Sequence, residues 1–203
     1  EMYECEVKPD QNIYSLMMNG FGKCGQPEKC DQIFSEMREM GVELDTTIYN
    51  TYLEVYAKYG NVEKIEEILK IMECENVEFD EMTFAAIIKG YSKKGDLQKI
   101  EQILNSMKDQ ISITPHICGI IIDGLVKSNR VEEAEAWHSK LAKEYNAQIN
   151  VVSYSSIIKG YLDLNNFEKA IDLFNEMKFR RYIPDQVVYH IIISYLVKNG
   201  DFM

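Results

Sequence analysis

Long hydrophobic runs, paired cysteines, glycine-rich loops and an excess of positive charge are all missing from this 203-residue sequence. Apolar runs such as 120–122 and 191–193 fall far short of the roughly 18 residues that a membrane span needs, so no membrane partner is expected. The five cysteines, at 5, 24, 30, 74 and 118, are odd in number and contain no Cys-x-x-Cys pair. That argues against both a disulfide framework and a structural zinc site, and favours a reducing compartment. No Gly-rich loop follows a strand pattern, which removes the usual phosphate-cradling motifs. The three histidines, at 116, 138 and 190, stand beside no Ser, Cys or paired carboxylate at a recurrent catalytic spacing. Catalysis is therefore not expected of this stretch, and no cofactor or metal is implied. The charge balance, 22 Lys and Arg against 33 Asp and Glu for a net −11, opposes nucleic-acid binding unless the charge is unevenly distributed.

What is present is repetition. In 151–185, VVSYSSIIKGYLDLNNFEKAIDLFNEMKFRRYIPD, the residues Val151, Val152, Tyr154, Ile157, Ile158, Tyr161 and Leu162 recur at helical spacing. Asn165 and Asn166 tolerate left-handed backbone or cap a helix, and Phe167, Ala170, Ile171, Leu173, Phe174 and Met177 form a second apolar stripe. Pro184 and Asp185 close the unit. Two helices of this length cannot bury their apolar faces alone, so the unit requires copies on either side.

The copies are found at a period of 35. Tyr14, Tyr49, Phe84, Cys118, Tyr154 and Tyr189 share one column. The helix-ending column reads Gly25, Gly60, Gly95, Asn129, Asn165 and Gly200, at intervals of 35, 35, 34, 36 and 35. Only Gly and Asn occur there, as a left-handed C-terminal turn requires. A third column closes each unit: Asp10, Asp45, Asp80, Thr114, Asn150 and Asp185. The chain then divides into five full units, 11–45, 46–80, 81–114, 115–150 and 151–185, with the tail of a preceding unit at 1–10 and a partial one at 186–203. A solenoid normally closes with polar capping units, so these ends are expected to be cuts through a longer array. Ile191, Ile192 and Leu196 are expected to be exposed at the uncapped end and to make head-to-tail self-association plausible. Carboxylate clusters such as Glu63, Glu66 and Glu67, or Glu132, Glu133 and Glu135, fall where second helices begin, as a solvated face that complements the helix dipole. Trp137 and the methionines fall mostly on core stripes.

The openings IYSLMMNGFGKCG, IYNTYLEVYAKYG, TFAAIIKGYSKKG and SYSSIIKGYLDLN, with the closing Asp and the 35-residue period, resemble pentatricopeptide repeats over essentially the whole chain. Tetratricopeptide repeats have a similar period, but their Trp-x-x-Leu-Gly-x-x-Tyr signature is missing. The resemblance implies an all-α fold, a right-handed α-solenoid of stacked helix-turn-helix units. It also implies a mitochondrial or plastid setting.

Charge is divided between the two helices of each unit. The first fourteen residues of the six units hold eight lysines and four carboxylates, a net +4, so the rest of the chain carries −15. Lys23, Lys58, Lys93, Lys127 and Lys198 fall at equivalent places, broken only by Asp163. Such a row can hold a phosphate backbone, or it can merely complement helix C-termini. The resemblance favours the first, because pentatricopeptide repeats bind single-stranded RNA along their first helices.

The resemblance further implies one base per unit, read by the fifth and last residues. Ser15 with Asp45, and Ser155 with Asp185, resemble the combination that favours guanine. Asn50 with Asp80 resembles the one that favours uracil. Ala85 with Thr114 has no polar fifth residue, Gly119 with Asn150 is similarly weak, and His190 lacks its partner. The expected preference is G-U-n-n-G, 5′ to 3′ from the N-terminus. Met82, Val152 and Val187 suit a base-flanking role at the second position, whereas Asn12, Thr47 and His116 do not. Three well-held bases give about 3–9 kcal/mol before the cost of association. The expected function is selective RNA binding in organellar RNA processing, stability or translation, with any catalytic domain outside this segment. The alternative is a protein-interaction scaffold within a larger organellar ribonucleoprotein such as a ribosome, engaged through the acidic second helices. A nuclease arm with an appended metal-dependent domain would need sequence beyond Met203.

Overall fold

Each opening segment is bounded by a capping residue and a left-handed turn, and each becomes a helix. The computed structural model describes residues 10–107 and 112–199. The described helices are α1 (Gln11–Lys23), α2 (Glu28–Glu39), α3 (Thr46–Tyr59), α4 (Val62–Cys74), α5 (Glu81–Lys94), α6 (Leu97–Met107), α7 (Pro115–Lys127), α8 (Val131–Glu144), α9 (Val151–Asp163), α10 (Phe167–Phe179) and α11 (Gln186–Asn199). No strand occurs among the described residues. The fold class is the all-α, paired-helix one expected. The helix tail over 1–9 and the turn at Gly200 fall outside the described residues.

The residue that closes each unit is the N-cap of the next odd-numbered helix. Asp10, Asp45, Asp80 and Asp185 accept the amide N–H three residues on at 2.8–3.0 Å. Asn150 does so at 3.1 Å and Thr114 at 3.4 Å. Each satisfies one of the four N–H groups that a helix start leaves without a partner. At the other end, Gly25, Gly60, Gly95, Asn129 and Asn165 all have φ between 56° and 78°, the left-handed turn inferred from their column. A second left-handed column, after the even-numbered helices, comprises Gly41, Asn76, Asn146 and Arg181.

The helices fall into two compact units, Glu1–Asp96 and Leu97–Met203. In the first, α1 packs on α3 and α3 on α5, with α2 against α1 and α4 against both α3 and α5. In the second, α7, α9 and α11 form the same succession, with α8 and α10 behind them. Lys140 pairs with Glu101 at 2.7 Å, tying α8 to α6. The column from Tyr14 to Tyr154 is buried, between 0% and 7% exposed, whereas Tyr189 is 47% exposed. Gly90 and Gly160 allow close helix contact. A Cβ on Gly90 would sit 2.3 Å from Ile65 Cδ1, and one on Gly160 would sit 3.0 Å from methyls of Val126 and Val131.

The carboxylates of the even-numbered helices are more than a solvated face. Tyr56 donates to Asp31 at 2.8 Å, Tyr91 to Glu66 at 2.6 Å and Tyr161 to Glu135 at 2.5 Å. Tyr14 reaches Glu36 and Tyr49 reaches Glu75 in the same manner. A phenol enclosed by apolar neighbours needs an acceptor, and a carboxylate at the edge of the core supplies a charge-assisted one. Burial first, and then the adjoining Glu176 carboxylate, push the Tyr154 phenol up to about 12.

The expected exposed patch on α11 is differently composed. Ile192 is only 8% exposed, and Ile191 and Leu196 are half-buried, because this stripe faces α9. Val187, Tyr189, Ile193 and Val197 are the exposed apolar residues of that helix, at 47–57%.

Candidate nucleic-acid interface

Helical spacing places the second, fifth, ninth and thirteenth residues of an odd-numbered helix on one side, close to the cap at its start. The second-position residues Asn12, Thr47, Met82, His116, Val152 and Val187 are all exposed. Of these, Met82, Val152 and Val187 present apolar side chains to solvent, each 55–57% exposed.

The fifth and last residues meet differently from repeat to repeat. Asn50 Nδ2 donates to both carboxylate oxygens of Asp80, at 2.9 and 3.1 Å, across 30 residues of sequence. Thr83 joins them: its hydroxyl is 2.7 Å from Asn50 Oδ1 and 3.0 Å from Asp80 Oδ1. Partial burial opposes ionisation of Asp80, but hydrogen bonds from Thr83 and Asn50 outweigh it and hold the carboxyl below the ordinary aspartate value. Ser15 and Asp45 are not joined by a hydrogen bond; Ser15 is half-buried and Asp45 caps α3.

Two of the proposed reading positions are buried, or nearly so. Ala85 is 3% exposed, and the Thr114 that completes its pair caps α7 in the other unit. Ser155 is 8% exposed, and its hydroxyl donates to the Val152 carbonyl at 2.8 Å, the local bond that helical serines form readily. Asp185 is exposed at the start of α11.

In the second unit the site residues line two clefts. One, of about 490 Å³, brings Gly119 and Asn150 together with His116, Asp123 and Val152. The other, of about 930 Å³, gathers Val152, Ser155, Lys159, Val187, His190 and Lys198 between α9 and α11. His190 Nδ1 lies 3.5 Å from the Ser194 hydroxyl.

All five lysines of the row are exposed, but three have protein partners. Lys58 donates to the Gly22 carbonyl at 3.1 Å, Lys93 to the Lys58 carbonyl, and Lys127 pairs with Asp123 at 2.6 Å. Lys58 and Lys93 thus serve carbonyls near the C-terminal end of the preceding odd-numbered helix, one repeat away. Lys23 and Lys198 form no ion pair among the described residues.

The ninth residue of each odd-numbered helix forms a further column outside the expected site. Asn19, Glu54, Lys89, Asp123, Lys159 and Ser194 are polar inside helices that are otherwise largely apolar, which is the signal that marks the column. Lys89 pairs with Glu54. No group of three or more His, Cys, Asp or Glu side chains that could hold a metal occurs among the described residues, and no described helix is long and apolar enough to cross a membrane.

Capped helix pairs repeating every 35 residues, with polar side chains recurring on one side of the odd-numbered helices, define a helical repeat protein. The description of the pentacotripeptide-repeat region of PRORP matches residues 1–133, and that of the PPR repeat family matches 149–198. The chain belongs to the pentatricopeptide-repeat family. A pentatricopeptide repeat-containing protein of Arabidopsis thaliana is 38% identical over 80 residues, which cover 39% of this chain and 13% of that protein. A second from the same organism, described as mitochondrial, is 37% identical over 59 residues, covering 29% of this chain and 14% of that protein. Among solved structures, maize pentatricopeptide repeat protein PPR10 superposes with a TM-score of 0.82 at 19% identity, over 98% of this chain and 28% of that one. The same protein in complex with an 18-nt psaJ RNA element gives 0.79 at 23% identity, over 97% of this chain and 29% of that one. The chain thus spans under a third of the length of these proteins.

Proposed function

We propose that this chain binds single-stranded RNA along its odd-numbered helices, about one base per repeat, with a preference for G-U-n-n-G read 5′ to 3′ from the N-terminus. The Asn50–Asp80 pair carries this reading: the fifth and last residues of one repeat, 30 apart in sequence, meet where α3 adjoins the start of α5, at the positions to which the family resemblance assigns base recognition. The cap geometry gives the pairing a chemical direction. Asp45 and Asp185 each hold one oxygen against a backbone N–H and keep the second as an acceptor, which suits bases presenting N–H at the pairing edge, guanine and uracil. The RNA complex of the maize relative lends support, since its fold matches nearly all of this chain. Within a longer protein this segment supplies recognition, and the relative described as mitochondrial favours an organellar role in RNA processing, stability or translation.

Fluorescence anisotropy of the 203-residue chain against RNAs carrying G-U-A-A-G or G-C-A-A-G tests the reading. The second RNA is expected to bind about ten-fold more weakly, and Asn50→Ser to bring the two affinities to within about three-fold of each other. Equal binding of both RNAs would remove base reading. No binding at low salt would favour the scaffold role through the even-numbered helices.

A further inference from the structure

We propose that Asp123 is the second base-reading residue of the fourth repeat, in place of Gly119, and that with Asn150 it selects a base carrying an exocyclic amine beside a ring-nitrogen acceptor, adenine or cytosine. The inference rests on the RNA-binding reading above and concerns the fourth base of the site.

The observations converge on one cleft. Gly119 has no side chain, and a Cβ there would meet nothing within 4 Å, so the fifth position leaves open space. Asp123 lies one helical turn further along α7, on the same side, and lines the same cleft as Gly119 and Asn150. Its Oδ2 is engaged by the exposed Lys127 ammonium at 2.6 Å, while Oδ1 has no protein partner among the described residues. Asn150 is the complementary half. Its Oδ1 accepts the Ser153 amide at 3.1 Å as the cap of α9, so the group left for a ligand is the amide nitrogen. That nitrogen has two N–H donors and no protein partner among the described residues.

The cleft therefore offers one donor, from Asn150, and one acceptor, from Asp123. Adenine presents N1 as acceptor beside its 6-amino donor, and cytosine presents N3 beside its 4-amino group; both match. Guanine and uracil carry an N–H at the ring nitrogen where adenine and cytosine carry a lone pair. Either would set that N–H against the Asn150 donor, and uracil would also set a carbonyl against the Asp123 carboxylate, leaving polar groups without partners. The space at Gly119 leaves room for the larger purine.

Twelve-nucleotide RNAs with the core G-U-A-X-G and identical flanks, where X is adenine, cytosine, guanine, uracil or hypoxanthine, test this with the 203-residue chain. Adenine or cytosine at X is expected to bind about ten-fold more tightly than guanine or uracil, the two arms distinguishing the amino bases from each other. Hypoxanthine, which replaces the 6-amino group of adenine by a carbonyl and places a proton on N1, should lose that advantage. Asp123→Ala should bring the adenine-to-guanine ratio to within about three-fold of unity. Asn150→Asp retains the cap oxygen of α9 and should turn the preference toward guanine. If Asp123→Ala changes the affinity for every X by the same factor, the carboxylate acts only through general charge and the proposal fails. Indifference to X in RNAs that still discriminate uracil from cytosine at the second base would overturn this inference and leave the RNA-binding reading standing. Failure of all the RNAs to bind would overturn both.

Discussion

His138 shows how burial can change what one residue does. Its side chain lies in α8 edge-on to Tyr154, ring centroids 4.4 Å apart, and Nε2 has no hydrogen-bond partner among the described residues. Burial first, and then the Arg180 cation, lower its pKa to about 4, with Glu135 opposing. In the unfolded chain the imidazole titrates near 6.5, so the unfolded state takes up a proton first as the pH falls. Stability from this residue is complete above about pH 6.5 and is lost progressively toward pH 4. Urea unfolding at pH 7 and pH 4.5 is expected to show the wild-type chain losing about 2 kcal/mol more than His138→Leu over that interval. Equal losses would place the acid sensitivity in the carboxylates. The capping residues are a second case at this scale. Asp45 and Asp185 each carry a helix start with one oxygen, and the proposed base contact would use the other, so a change to Ala is expected to remove both.

At the scale of the helix, spacing between neighbours is set by residues that lack side chains. Gly90 faces Ile65, which is fully buried and has little freedom to swing away, whereas a Cβ on Gly20 would meet nothing within 4 Å. Gly90→Ala is expected to destabilise by about 1–2 kcal/mol through overpacking of α5 on α4. Gly20→Ala should stabilise by about 0.5–1 kcal/mol through helix propensity and reduced entropy of the unfolded chain. Thermal or urea denaturation of the two single variants measures both, and a common sign would refute the packing account. Helix starts and stops were legible in the sequence because caps and left-handed turns are local. The Tyr hydroxyls bound to Asp31, Glu66 and Glu135 were not, because each pair joins an odd-numbered helix to the even-numbered helix of the preceding repeat.

For the molecule as a whole, the net charge of −11 makes the placement of its cations decisive. Lys58, Lys93 and Lys127 are held by protein oxygens, while Lys23 and Lys198 are exposed and without an ion pair among the described residues. Each contact between a lysine and a phosphate of single-stranded RNA steepens the salt dependence of log K by roughly 0.7. Lys23→Ala and Lys198→Ala are each expected to lower that slope by about this amount, and Lys58→Ala by less, in anisotropy titrations at several salt concentrations. Unchanged slopes for Lys23→Ala and Lys198→Ala would mean that RNA is held elsewhere.

The sequence by itself determined the period, the closing column from Asp10 to Asp185, the left-handed turns and hence the family and its fold class. Each of these is written in residues close together on the chain, where backbone conformation follows from local chemistry. Which side chains remain available was decided only by the tertiary structure. It buries Ala85 and Ser155, engages Lys58 and Lys93 with carbonyls of neighbouring helices, and joins Asn50 to Asp80. It also brings the unremarked Asp123 into the cleft of Gly119 and Asn150. Exposure and pairing depend on what the next repeat places opposite a residue, and a single helix does not encode its neighbour.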